Sequence, residues 1–227
     1  MESTIQLNDR TVEVVTSAKR PRALLAAYRA LMRVHCRVWL GFHVRRGDEP
    51  CDLSGAILMC NHPTKLDYAM LSCAFPDAII HPDVPSGAAA ATYGSRWLRD
   101  KVGAVYHERG SSVTEVRHRT EAVRACLDMG ECVLEFPERE PRLYRWQLGE
   151  LSDRPFFLAA VLDAPIVPVA LAPVVTRGLN GVVRRLPGFE LRVGKPVWLD
   201  RSLRPREAEV RFREDVEMQM RDLLALE

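Results

Sequence analysis

Lysine is nearly missing from this 227-residue chain: only Lys19, Lys65, Lys101 and Lys195 occur among 32 basic residues. The arginine excess fits a GC-rich bacterial coding genome. A second reading is selection for planar guanidinium groups that grip anions bidentately. No run of 18 or more apolar residues occurs, so no transmembrane helix is expected. The opening MESTIQLNDRTVEVV carries early acids and no apolar core, unlike a secretory leader. The six cysteines, Cys36, Cys51, Cys60, Cys73, Cys126 and Cys132, form no CxxC pair, and no histidine lies at zinc-finger spacing from them. A metal site is therefore not expected. A chain of this size builds its core without disulfides, which points to free thiols in a reducing cytoplasm. With 30 acids against 32 bases the formal charge is only +2, which excludes a globally basic nucleic-acid binder. At 47% hydrophobic and 27% charged residues, disorder is excluded as well, and the length allows one domain with at most an appendage.

Charge is unevenly spread. From Val14 to Arg46 there are eight basic residues and no acid. At 100° per residue, Arg22, Arg29, Arg33 and Arg37 fall within about 80° of one another. Leu24, Leu25, Tyr28, Leu31, Met32, Val34, Val38, Trp39 and Phe42 fill the other side. The pattern predicts a basic amphipathic helix from Pro21 to Phe42. Such a helix either lies on an anionic membrane surface, on the inner face of the membrane, or packs on the domain with a solvated arginine face. Residues 1–46 are thus read as an arm plus helix, and 47–227 as one globular domain.

Beyond residue 50 apolar strands alternate with helices. Strands are expected at Ser54–Cys60, Ala78–His81, Ala104–His107, Cys132–Phe136, Ile166–Leu171, Glu190–Val193 and Val197–Leu199. Helices are expected at Tyr68–Phe75, Gly94–Val102, Val113–Met129, Phe156–Leu162 and Pro205–Leu226, with Gly130 as a helix stop. Pro168 inside a strand suggests an interrupted ladder or a sheet edge. The alternation implies an α/β fold with a largely parallel central sheet flanked by helices. Sites in such sheets form at the carboxyl ends of strands. Three polar clusters sit there: Asn61 to Asp67, His107-Glu108-Arg109, and Glu135 to Glu138.

In NHPTKLD a buried strand delivers His62 to a loop, and Asp67 follows where a helix begins. A short loop can fold back so that the carboxylate accepts the Nδ1 proton of His62, leaving Nε2 as a base. Chance supplies about 0.3 His-x4-Asp pairs in a chain of this composition, and about 0.005 when an Asn must precede the His. Arg109, at a strand end, has the fork geometry that holds a phosphate. Glu138 can orient a substrate hydroxyl or pair with Arg139 or Arg142.

Taken in order, these features resemble the PlsC-like glycerolipid acyltransferase superfamily, whose members include the lysophosphatidic acid acyltransferases. Its first block, Asn-His-x4-Asp, matches Asn61, His62 and Asp67 in NHPTKLDY. Its second, a Gly, an apolar strand and an Arg, is similar to GAVYHER from Gly103 to Arg109. Its third, Phe-Pro-Glu-Gly-Thr-Arg, matches at Phe136, Pro137 and Glu138, after which this chain has Arg139 and Glu140, with an arginine one position late at Arg142. Its fourth is similar to APIVPVAL from Ala164 to Leu171, and ELRVGKPV is similar to the closing strand. The resemblance covers about Ser54 to Leu199. It implies transfer of an acyl group from a thioester of coenzyme A or acyl carrier protein to a hydroxyl or amine, with no cofactor and no acyl-enzyme. His62 is then the base, Asp67 its orienter, and Asn61, Arg109, Glu138, Arg139 and Arg142 line the acceptor side. The departure at Arg139 and Glu140 points to a specialised acceptor as an alternative to a lysophospholipid. The same dyad with water as acceptor would make a thioesterase, and the fold without turnover a lipid- or carrier-binding module.

Overall fold

The computed structural model describes residues 22–45, 52–85, 99, 104–107, 112–138, 147–174, 179–184 and 186–225. Its elements are α1 (Arg22–Trp39), β1 (His43–Arg45), β2 (Ile57–Cys60), α2 (Asp67–Ala74), β3 (Ile80–Pro85), β4 (Val105–His107), α3 (Val113–Asp128), β5 (Cys132–Glu135), α4 (Arg154–Leu162), β6 (Ile166–Val174), α5 (Leu179–Arg184), β7 (Gly188–Val193) and α6 (Pro205–Leu224). The seven strands form one sheet in the order β1-β7-β6-β2-β5-β3-β4. Strands β2 to β6 run parallel; β7 is antiparallel to β6, and β1 is parallel to β7. The expected α/β architecture with a largely parallel sheet is therefore the one observed.

The central strands are buried on both faces, which explains their nearly continuous apolar sequence. In β2 the alternation of side chains divides the core. Leu58 and Cys60 pack with Leu134, Val167, Val169, Leu171 and Leu191 beneath α1 and α2. Ile57 and Met59 pack with Val133, Ile166, Val123, Leu158, Phe212 and Val216 beneath α3, α4 and α6. Ser112 caps α3 with a reciprocal Glu115 capping box, and Gly130 follows the helix at φ +73°, a backbone conformation that a glycine adopts without strain.

Several boundaries differ from the sequence expectation. Val197 makes a single bridge to Ile166 rather than a strand. Pro168 lies in a central strand, not at an edge. It sits just before the β6·β7 ladder begins at Val169, and its carbonyl accepts the Gly194 N–H at 2.8 Å. The ladder reading of Pro168 thus applies toward β7 alone: Pro168 has no N–H to return to Gly194 and the β6·β7 register stops there, while the β2·β6 ladder runs on through it. The arm over residues 1–18 lies outside the described residues, as does the stretch 94–102 except for helical Arg99.

Helix α1 forms where expected but turns differently. Its contact side is Tyr28, Arg29, Met32, Cys36 and Trp39. Arg29 donates to the carbonyls of Pro76 at 2.7 Å and Ala78 at 3.2 Å, docking α1 on the α2–β3 turn. Leu31, Val34 and Val38 face solvent at 69%, 62% and 52% exposure. The arginine row therefore does not form one solvated face opposite a buried apolar one: Arg33 and Arg37 are exposed, but Arg29 points inward. No helix among the described residues is long and apolar enough to cross a membrane.

A buried ionic cluster ties α3 to the sheet. Arg119 donates to Asp83 on β3, at 2.6 Å from Nε, and to Glu135 on β5. Two carboxyls share one guanidinium here. Burial pushes the Glu135 carboxyl well above the usual carboxylate range, against the pull of Arg119, and neighbouring Asp83 adds to the rise. A carboxyl that binds its proton more tightly folded than unfolded stabilises the fold at pH below about 4.5. That contribution is lost as pH rises through the higher folded value. Glu135→Gln mimics the protonated carboxyl. Urea unfolding from pH 5 to pH 8 should therefore show a shallower loss of stability for this variant than for the unaltered protein.

Candidate active site

The site is built on the loop between β2 and α2. Strand β2 stops at Cys60 because the next side chain takes over the ladder. The Asn61 carboxamide accepts the Leu171 N–H at 2.8 Å and donates to the Leu171 carbonyl at 3.2 Å. It thereby mimics a strand residue facing β6, satisfies both backbone groups of Leu171, and frees its own main chain to turn. His62 follows, 3% exposed, and Asp67, at 1%, opens α2.

The dyad read from the sequence is present. His62 Nδ1 donates to Asp67 Oδ2 at 2.5 Å. An ionised carboxylate only accepts, so the proton between them belongs to Nδ1, and Nε2 is the nitrogen available to take another. Thr64 completes the arrangement. Its hydroxyl donates to Asp67 Oδ1 at 2.6 Å, and its N–H reaches both Asp67 oxygens at 3.1 and 3.3 Å. The same hydroxyl accepts the Leu66 N–H at 2.9 Å. Burial pushes the Asp67 carboxyl up, while His62 and Thr64 pull it down by favouring the ionised form. The dyad's carboxylate is thus stabilised by neighbours rather than by water.

Glu138 locks the loop from the other side. After β5 the chain passes through Phe136 and Pro137. Glu138 then accepts the His62 backbone N–H at 3.2 Å on Oε2 and the Gly149 N–H at 2.8 Å on Oε1. A bridge from Glu138 to Leu151 holds the partner segment in place. The Phe136 ring lies against the His62 imidazole, with centroids 4.5 Å apart at 39°. One imidazole is therefore fixed by a carboxylate at its edge, an aromatic ring at its face and a carboxylate on its own main chain.

Of the residues singled out in the sequence, Asn61, His62, Asp67 and Glu138 come together here. Arg109, Arg139 and Arg142 lie outside the described residues, as does Glu140, and of His107 only the strand backbone is described. Two residues of the site were not assigned roles from sequence. Thr64 is visible in retrospect: a Thr three positions before an Asp at a helix start fits a local side-chain-to-backbone turn. Phe136 was matched as part of a motif, but its contact with His62 depends on β2 and β5 being neighbours in the sheet.

Chemically, the constellation can accept a proton at Nε2 and stabilise the resulting imidazolium. Such a base serves an attacking hydroxyl, amine or water. None of the groups at the dyad is an obvious nucleophile of its own: the Thr64 hydroxyl is committed to Asp67, and Cys60 is fully buried with its thiol pushed up by burial.

A family model described as Acyltransferase matches residues 43–172. No curated protein matches the chain significantly. Among solved structures, the chain is similar to the 1-acyl-sn-glycerophosphate (LPA) acyltransferase PlsC from Thermotoga maritima. The two are 17% identical, with 91% of this chain and 82% of that one covered, at a TM-score of 0.59.

The site makes a stability prediction of its own. Asp67→Ala leaves the His62 Nδ1–H and both Thr64 donors without their buried acceptor. A buried donor left without its acceptor costs about 1–3 kcal/mol. Urea denaturation should show a loss of that order for Asp67→Ala, and a smaller one for Asp67→Asn, whose carboxamide oxygen still accepts.

Proposed function

Because the chain belongs to the acyltransferase family and has the fold of PlsC, we propose that it moves an acyl group from a coenzyme A or acyl carrier protein thioester to an acceptor hydroxyl, with His62 as general base. The observation that carries this reading is the buried 2.5 Å contact between His62 Nδ1 and Asp67. It fixes the tautomer in which Nε2 takes the hydroxyl proton as the oxygen attacks the thioester carbonyl. Collapse of the tetrahedral intermediate breaks the C–S bond, and the departing sulfur takes the proton back from His62. The enzyme carries no acyl group between substrates, in keeping with a site whose hydroxyl and thiol are both engaged or buried.

Within this scheme Asn61 and Glu138 are positioning residues, since their polar atoms bind the backbone of Leu171, His62 and Gly149. Recognition of the acceptor falls to Arg109, Arg139 and Arg142. A glycerophospholipid precursor such as a lysophospholipid is the reading that the four sequence blocks favour. The exposed stripe of Leu31, Val34 and Val38, beside Arg33 and Arg37 on a helix without acids, supports docking on an anionic membrane surface. Such docking would bring a lipid acceptor to the enzyme in its own phase.

Two measurements test this. His62→Ala should lower turnover with a panel of acyl thioesters and lysophospholipids by about 10²-fold or more, with its circular dichroism unchanged. Retained turnover removes His62 from the mechanism, and thiol release independent of any acceptor replaces transfer by hydrolysis. Replacing Leu31, Val34 and Val38 together by serine should abolish co-flotation with vesicles rich in phosphatidylglycerol. Flotation equal to that of the unaltered protein would show that α1 does not dock there.

A further inference from the structure

Helix α1 and helix α2 meet through two thiols that the mechanism does not use. Cys36 lies on the inward side of α1, fully buried. Cys73 lies near the end of α2, and the two thiols are neighbours where α1 packs on α2. As a thiol, Cys73 also donates to the Arg29 carbonyl of α1 at 3.6 Å. Cys73 differs from the other described cysteines in one respect that matters for chemistry. Cys60, Cys126 and Cys132 are buried in the core, whereas Cys73 is half-buried. It lines a cavity of about 410 Å³ together with Arg33, Arg37, Phe42 and His43. Cys73 is thus part of a cavity wall that also carries two arginines.

We propose that Cys36 and Cys73 are a redox-active dithiol, in which a peroxide oxidises Cys73 from the cavity and Cys36 resolves the product as a disulfide joining α1 to α2. In the first step the Cys73 sulfur attacks hydrogen peroxide. An S–O bond forms, the O–O bond breaks, and one water leaves. In the second step the Cys36 sulfur displaces the hydroxyl from the Cys73 sulfenic acid. The S–S bond forms, and the Cys36 proton departs with the hydroxyl as a second water. Two thiols and one peroxide thus become one disulfide and two waters.

The surroundings suit these roles. Hydrogen bonding from Cys36 and the charges of Arg33 and Arg29 bring the Cys73 thiol down to about 7, so a thiolate is present at neutral pH. The contact with Cys73, together with burial, pushes the Cys36 thiol up, as suits a resolving group that stays protonated until its partner is oxidised. Tyr28, pushed up to about 12 by burial and by the two sulfurs, stays neutral beside them. The cross-link closes the loop from residue 36 to residue 73. That loop contains β1, β2 and the whole His62–Asp67 dyad. The inference concerns the thiols alone and stands whether or not the protein transfers acyl groups.

The full reduced chain, treated with one equivalent of hydrogen peroxide and digested without reductant, decides it. The expected product is a peptide joining Cys36 to Cys73, about 2 Da lighter than the two separate peptides and cleaved by a dithiol reductant. Two thiols per chain should be lost, while Cys126 and Cys132 stay alkylatable after unfolding. In Cys36→Ser, a cyclic 1,3-dione should trap the sulfenic acid on Cys73. Conversion of Cys73 to sulfinic acid without a cross-link in the unaltered chain would overturn the proposal, and so would a Cys73 that remains reduced while other cysteines oxidise. If Cys36→Ser does not fold, the digest of the unaltered chain still decides between these outcomes.

Discussion

A carboxylate taken out of water has to be satisfied by the protein, and in this molecule that demand falls on Asp67. Its two oxygens receive the His62 ring, the Thr64 hydroxyl and the Thr64 main chain. Each of those donors sits within five residues, so the carboxylate dictates the path of the loop that connects β2 to α2. The loop in turn depends on two distant groups. Asn61 ties its start to β6, and Glu138 ties its middle to the segment after β5. The site is therefore a local turn braced by both neighbouring strands of β2. Removing the carboxylate would disturb geometry and stability together, because the same contacts supply both.

The sheet explains why the brace exists. In a parallel array, the carboxyl ends of β2, β5 and β6 lie side by side, so the loops that leave them are neighbours without any need for long connections. The reversal at β7 and β1 leaves this edge intact, since the reversed strands lie on the far side of β6. On the opposite sheet face, the Arg119 cluster performs an analogous task for β3 and β5, again by placing one cation between two buried carboxyls. Both polar clusters sit near the strand ends, where the apolar core gives way to loops.

Much of this was legible in the sequence, and the reasons are specific. Strand β2 is a short apolar run with a polar stop, and Asn-His-x4-Asp follows it directly, so both partners of the dyad belong to one local segment. Local order of that kind can be read along the chain. Contacts that depend on the sheet cannot: the Phe136 ring against His62 and the Glu138 carboxylate on its main chain require β2 and β5 to be adjacent. Strand β1 and helix α5 went unread because they are only three and six residues long. At that length neither period establishes itself. Cys36 and Cys73 lie on different helices, and nothing in their spacing announces a pair.

The orientation of α1 carries the same lesson furthest. Periodicity separated arginines from apolar residues correctly but did not say which side the domain takes. The domain takes a strip between them. Tyr28, Met32, Cys36 and Trp39 supply apolar contact, and Arg29 reaches the open carbonyls at the end of α2. That choice satisfies backbone acceptors at the α2–β3 turn which an apolar side chain would have left bare. Its consequence is that Leu31, Val34 and Val38 stay in water. Each would gain about 1.5–3 kcal/mol from full burial, so the helix retains a driving force for association that the domain itself does not use. The inward face of α1 holds the helix to the domain, and its outward face remains able to bind something apolar. A helix with those two properties fixes the distance between whatever it binds and the His62 loop, because α1 and the dyad share α2 as a common support.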